Sequence, residues 1–203
     1  MIKNIVFDFG RVIVDFDETK MTRAFIKEES WVATVRDVVF DRLYWDKLDL
    51  GTITDEELKA EVATRLPASL IPAAHDVYDH WIENIDMIPG IEDTILTAKA
   101  KANGIYLLSN ISIKFTKEYR KNTAVDRVLS LFDGLVFSGP LHMIKPDAAI
   151  FRYLLDTYGL VAEETLFIDD SPKNIAGAAA LGINTYLFDG DAARLTEYMK
   201  SLS

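Results

Sequence analysis

The sequence predicts an α/β protein, a doubly wound parallel sheet carrying a helical block inserted after its first strand. Three observations lead there. Five short runs are apolar at nearly every position and end in small or acidic polar residues: "IVF" before Asp8, "IYLL" before Ser109-Asn110, "LVF" before Ser138-Gly139, "LFI" before Asp169-Asp170 and "TYLF" before Asp189-Gly190. From residue 90 onward, segments with helical apolar spacing alternate with these runs. Residues 15–88 break the alternation, with helical patterns and no convincing strand. Runs apolar at every position suit strands buried on both faces, as in a parallel sheet. Strand–helix–strand repetition is the signature of a wound α/β sheet. The expected organisation is therefore a core from 1–14 and 89–203, with 15–88 inserted.

In chain order, the first run leads into Asp8-Phe9-Gly10-Arg11-Val12. Helical patterns follow in "FDETKMTRAFIKEE", "VATVRDVVFDRLYWDKL", "TITDEELKAEVATRL" and "IPAAHDVYDHWIENI". Thr54 and Glu57 form a capping-box pair. All three tryptophans (31, 45 and 81) fall in this block, and with Tyr44 they are expected to be core rather than a substrate platform. His75 and His80 are expected on the surface. The chain rejoins the core at Pro89-Gly90. Segment 90–104 reads as a helix closing on a left-handed cap at Asn103-Gly104. Segment 145–159 places Pro146 near a first turn and closes on Gly159, and 171–182 is Ala-rich, closes on Gly182 and should pack close to the sheet.

Composition narrows the function classes. Of 203 residues, 49% are hydrophobic and 27% charged, the balance of an ordinary globular protein. With no cysteine, disulfides, thiolate chemistry and Cys-based zinc sites are excluded. The formal net charge of −10, without a basic stripe, argues against nucleic acid as a partner. No stretch approaches the roughly 20 apolar residues of a membrane span. Met1 leads straight into a strand-like run with no secretory leader pattern, so a cytoplasmic protein is expected by elimination. A monomer or small homo-oligomer is expected, with neither nucleic acid nor membrane as partner.

The polar strand ends carry the chemistry. Ligands of wound α/β sheets sit beyond the carboxyl ends of the strands, where all these residues fall. An ionised Asp at the end of a buried run is tolerated only where solvent or a metal reaches it, so Asp8 is a turn former or a chemical group.

The constellation resembles the haloacid dehalogenase superfamily, whose members are mostly phosphotransferases, and the likeness spans the whole chain. Its motifs correspond here to "DFGRV" at Asp8, "YLLSN" at Ser109, "IKPD" at Lys145 and "FIDDS" at Asp169-Asp170, with Asn174 four residues on. The variant with glycine as third residue is similar to a bacterial subgroup containing an α-glucose-1-phosphate phosphatase, related to the N-terminal phosphatase domain of soluble epoxide hydrolases. The resemblance implies a Mg²⁺-dependent phosphatase acting on a small phosphorylated metabolite, a sugar phosphate by preference, through an aspartyl-phosphate at Asp8. It implies Mg²⁺ ligands at Asp8, the Gly10 carbonyl and Asp170, with Asp169 close by, and Lys145 as the counter-charge. It also implies that Ser109, the amides around Asn110, and Lys145 bind the phosphoryl group. Arg11 could reach a substrate hydroxyl. The insertion would be a cap that closes over the substrate. Asp169-Asp170 could also serve as a helix N-cap.

Gly10 departs from the family pattern. An Asp there usually protonates the leaving oxygen, a role worth on the order of 10²–10⁴ in rate. Three outcomes stay open: a substrate whose leaving oxygen needs little protonation; another acid, with Asp15, Asp17 and His142 as candidates; or a nearly inert protein. For His142 the expectation is a loop histidine packed on the core. A silent regulator that binds a phospho-ligand, a phospho-accepting receiver-like module and a 2-haloacid dehalogenase are the competing readings. The long insertion counts against the receiver, and the acidic pair and Gly10 count against the dehalogenase.

Overall fold

The structure, a computed structural model, describes residues 1–202. Seven strands occur among them: β1 (Asn4–Phe7), β2 (Val14–Asp15), β3 (Asp86–Met87), β4 (Gly104–Ser109), β5 (Gly134–Phe137), β6 (Thr165–Asp169) and β7 (Asn184–Leu187). The five apolar runs make one parallel sheet in the order β5-β4-β1-β6-β7. The central strands are buried as expected, from Val6 and Phe7 to Leu107 and Ile168. The two edge strands are not: β5 and β7 are half-buried, and Leu187 is 50% exposed. An edge strand has a neighbour on one side only, so apolar composition alone overstates its burial.

Numbered within the sheet, the order is 3-2-1-4-5. The chain winds outward from β1 through β4 to β5, then crosses back to β6 on the other side of β1. The crevice of such a sheet lies where the winding reverses, between the carboxyl ends of β1 and β6. Receiver modules have the order 2-1-3-4-5. The receiver reading is therefore excluded by topology.

Five helices lie between β2 and β3: α1 (Glu18–Phe25), α2 (Glu29–Val39), α3 (Arg42–Asp49), α4 (Asp55–Arg65) and α5 (Ile71–Asp79). The expectation of no strand in this block fails at its two ends. Val14 pairs antiparallel with Met87, and Asp15 with Asp86, so the chain leaves and returns through one short ladder. The stretch 32–48 is two helices, because the Asp41 side chain accepts the Leu43 amide and starts α3 afresh. The Thr54–Glu57 capping box is present. Trp45 and Trp81 are buried, whereas Trp31 and Tyr44 are half-buried. Phe16 lies 5.6 Å from Trp81, which stacks on Phe115 beside the sheet at 5.8 Å. Inserted helices and sheet thus share one hydrophobic core. His75 is half-buried, with Nε2 3.1 Å from the Lys59 carbonyl, while His80 is exposed as expected.

Seven helices follow: α6 (Ile91–Lys101), α7 (Ile113–Glu118), α8 (Thr123–Leu129), α9 (Ser138–Leu141), α10 (Ala148–Tyr158), α11 (Pro172–Ala179) and α12 (Ala192–Ser201). Gly159 and Gly182 close their segments as expected, in the left-handed conformation at φ 63° and 79°. Gly104 does not; it opens β4, where a Cβ would meet the Tyr106 ring. Pro146 lies two residues before α10, next to its N-cap Asp147 and near the first turn as expected. No helix among the described residues is long and apolar enough to cross a membrane.

The Ala-rich α11 packs as its composition suggests. A Cβ at Gly177 would lie 2.6 Å from the Pro146 carbonyl oxygen, a backbone atom adjoining Lys145. Gly177→Ala should therefore lower stability by about 1–3 kcal/mol, as overpacking does. Urea unfolding measures the loss, and an unchanged midpoint would show that the loop yields without cost.

Candidate active site

The parallel register builds the site. Phe7 pairs with Leu107 on one side and Ile168 on the other, and the Asp8 amide donates to the Ile168 carbonyl at 2.8 Å. The next residue along β6 is Asp169, so two carboxylates leave adjacent strand ends together. One oxygen each from Asp8, Asp169 and Asp170 lies within 4.8 Å of the others.

Lys145 completes the cluster. Its Nζ is 2.7 Å from Asp8 Oδ1, 2.7 Å from Asp169 Oδ2 and 2.9 Å from the Leu108 carbonyl, which occupies all three ammonium donors. The expectation that Lys145 contacts substrate has no free N–H behind it; the lysine holds the two aspartates. It stands in the loop before α10, not at the opening of that helix. Asn110 clamps this loop, its Oδ1 accepting the Lys145 amide at 2.8 Å and its Nδ2 donating to the Lys145 carbonyl at 3.0 Å. The Asn110 side chain is therefore committed to positioning Lys145. The neighbouring Ile111 amide donates to Ser138 Oγ at 2.8 Å, which removes it from the amides expected to meet a ligand. Asp169 is held further by the Ser171 amide at 2.8 Å and by Asn174 Nδ2 at 3.0 Å to each oxygen. The N-cap position of α11 belongs to Ser171, which makes no side-chain cap bond, so the acidic pair precedes that cap instead of forming it.

Three carboxylates against one ammonium leave two negative charges uncompensated in a buried place. Burial pushes the Asp8 carboxyl up to about 7; the negative Asp169 adds to the rise and Lys145 opposes it. Burial also raises Asp170, again with Asp169 contributing. Burial alone would lower Lys145, but Asp8 and Asp169 hold it above its ordinary value. A doubly charged hard cation with oxygen ligands fits this donor set.

The cluster faces a cavity of about 440 Å³. Of the expected residues, Asp8, Gly10, Arg11, Ser109, Asn110, Lys145 and Asp170 line it, while Asp169 stands fully buried behind them. Arg11 is exposed and left-handed at φ 59°, a conformation uncommon for a residue with a side chain. Gly10 is not left-handed, and a Cβ there would meet nothing within 4 Å. Neither backbone nor packing requires glycine at this position.

None of the three proposed substitute acids lines the cavity. Asp17 caps α1, accepting the Lys20 amide at 2.9 Å. Asp15 is an exposed member of the β2–β3 ladder. His142 is exposed at the end of α9, with Nδ1 3.1 Å from the Leu50 carbonyl. Sequence reasoning missed Asp49, which lines the cavity at 4% exposure, and Lys173, which also lines it. It also missed the inward role of Trp45 and Trp81, which are core and cavity wall at once. Trp81 Nε1 is buried without a hydrogen-bond partner. The signal for Asp49 was an acid two residues before Gly51 at a helix end.

Residues 2–182 match the family described as haloacid dehalogenase-like hydrolase, and the chain belongs to that family. It is 29% identical over 196 residues to a D-ribitol-5-phosphate phosphatase of Bacteroides thetaiotaomicron, covering 92% of this chain and 91% of that protein. It is 29% identical to a drimenol cyclase of Aspergillus calidoustus over 93% of this chain, which spans about a third (34%) of the cyclase. A solved family enzyme of Bacteroides thetaiotaomicron, in complex with magnesium and inorganic phosphate, superposes with a TM-score of 0.65 at 25% identity, covering 92% of this chain and 93% of that one. Family and phosphatase relatives together support a phosphoric monoester hydrolase.

Lys145→Met leaves Asp8 and Asp169 buried without their cation, so it should cost about 3–5 kcal/mol at pH 8. The folded Asp8 carboxyl then holds a proton that the unfolded one releases, so stability falls as pH rises and the loss is smaller at pH 5. Urea unfolding at both values tests this.

Proposed function

We propose that the chain is a Mg²⁺-dependent phosphatase of small phosphorylated metabolites, sugar or polyol phosphates first among them, in which Asp8 is the nucleophile. One observation carries it: Asp8 faces the cavity at the switch point of the sheet, 2.7 Å from a buried lysine and grouped with two further carboxylates. A carboxylate so placed attacks a phosphoryl group held in the cavity and becomes an aspartyl-phosphate, which water then opens. Asp8, the Gly10 carbonyl and Asp170 would hold Mg²⁺, with Asp169 close by. When bound, that ion supplies the two positive charges that let an anionic nucleophile meet an anionic substrate. Lys145 keeps Asp8 and Asp169 in place as charge moves. Ser109, buried at the end of β4, would donate its hydroxyl to a phosphoryl oxygen. Arg11 stands at the mouth for a substrate hydroxyl.

Residues 15–88 would act as a cap over the core of 1–14 and 89–203. Their contribution to the cavity supports a polyol: the apolar faces of Phe16, Trp45 and Trp81 with the polar heads of Glu18, Arg42 and Asp46. The name of the Bacteroides relative, a D-ribitol-5-phosphate phosphatase, points the same way.

The test is phosphate release from a panel of sugar and polyol phosphates with Mg²⁺. Wild type should turn over at least one ester, and Asp8→Asn or EDTA should abolish release. Thermal stabilisation by an ester without turnover would favour a silent phospho-ligand binder, the reading motivated by Gly10.

A further inference from the structure

We propose that Asp49, at the C-terminal end of α3, is the catalytic acid that Gly10 gives up, donating a proton to the leaving oxygen and taking one back from water. The inference rests on the phosphatase reading. Four observations support it. Asp49 is 4% exposed and lines the same cavity as Asp8. Among the described residues its carboxylate has no hydrogen bond or ion pair, yet neither oxygen is sealed from the cavity. A buried carboxylate without a partner costs stability, so structure alone gives no reason for it. Its backbone is fixed: Ser138 Oγ, at the end of β5, donates to the Asp49 carbonyl and accepts from the Ile111 amide.

The neighbouring contacts fix it further. A Cβ at Gly51, left-handed at φ 70°, would sit 2.3 Å from the Gly139 carbonyl, so only glycine lets the end of α3 approach α9 this closely. The acid therefore comes from the inserted helices but is held by the sheet.

The steps balance. An Asp8 oxygen bonds to phosphorus as the bond to the leaving oxygen breaks, and that oxygen takes the Asp49 proton and departs as an alcohol. Water then bonds to phosphorus and passes a proton to the Asp49 carboxylate, while the bond from phosphorus to Asp8 breaks. Inorganic phosphate leaves, with Asp8 ionised and Asp49 protonated again. Burial pushes the Asp49 carboxyl up to about 7, with Arg42 opposing, Asp46 and Asp8 adding and Lys145 opposing. Such a group is protonated in about half of the molecules at neutral pH and can give the proton up. Glu18, Arg11, Asp170 and Lys173 are the other charged groups on the cavity, and His142 lies against Leu50 and Gly51.

Asp49→Asn is tested with p-nitrophenyl phosphate and with the best alkyl monoester of the panel. The nitrophenolate leaves without a proton, so the first-turnover burst should survive near the wild-type rate, followed by slow release of phosphate. Alkyl ester hydrolysis should fall about 10²-fold or more. Gly10→Asp in the Asp49→Asn background, where the added side chain has room, should restore at least a tenth of the alkyl rate. The variant folds if its Tm exceeds that of wild type at pH 8, by more than at pH 5. That sign follows because a raised folded pKa makes the ionised carboxyl costly only above the unfolded value.

Equal losses of the first-turnover rate on both esters without rescue by Gly10→Asp would overturn the proposal, as would unchanged alkyl turnover. Failure of the phosphatase reading looks different: wild type would release phosphate from no ester, and both proposals would fall together.

Discussion

The site depends on one ammonium group between two carboxylates. Lys145 has no exposure to speak of, and neither has Asp169, so water cannot screen them. Buried pairs of this kind contribute little net stability, but removing one partner is costly. The value of the arrangement lies in placement. Asp8 must point at the cavity while a second acid stands beside it, and mutual repulsion would drive the two apart. Lys145 holds them together, and Asn110 holds Lys145. A chain of hydrogen bonds thus runs from the end of β4 through the loop before α10 to the ends of β1 and β6.

Topology explains why such distant residues meet. Three carboxylates and a lysine come from three parts of the chain, but each follows a strand or precedes a helix at the same edge of one sheet. Parallel pairing leaves no choice about level: once Phe7 lies opposite Ile168, Asp8 and Asp169 emerge side by side. A one-residue slip would turn one of them away from the cavity.

Most of this was legible from residues alone. Asp8, Ser109, Asp169 and Asp170 are polar groups at the ends of apolar runs, and the order of those runs is a local signal; Lys145 came from the family resemblance. Asp49 gave none. Its burial arises because α3 folds back on α9, a contact between residues some 90 positions apart that no periodicity records. The same limit explains the substitute acids. Asp15 and Asp17 are near Asp8 in sequence but are consumed by a strand ladder and a helix cap. The half-exposed edge strands and the split of one helical stretch at Asp41 are failures of a milder sort, because apolar composition and helix propensity do not register neighbours.

The many ties of the inserted helices have a kinetic consequence. They are held to the sheet side at the β2–β3 neck, where Ser138 grips the end of α3, where His142 meets the Leu50 carbonyl, where Asn122 donates to the Ile82 and Ile85 carbonyls, and through one shared core. A block held at so many places does not swing like a door on one hinge. Traffic into the chamber then falls to the side chains of its rim, whose rotations are far quicker than the release of a whole helical layer.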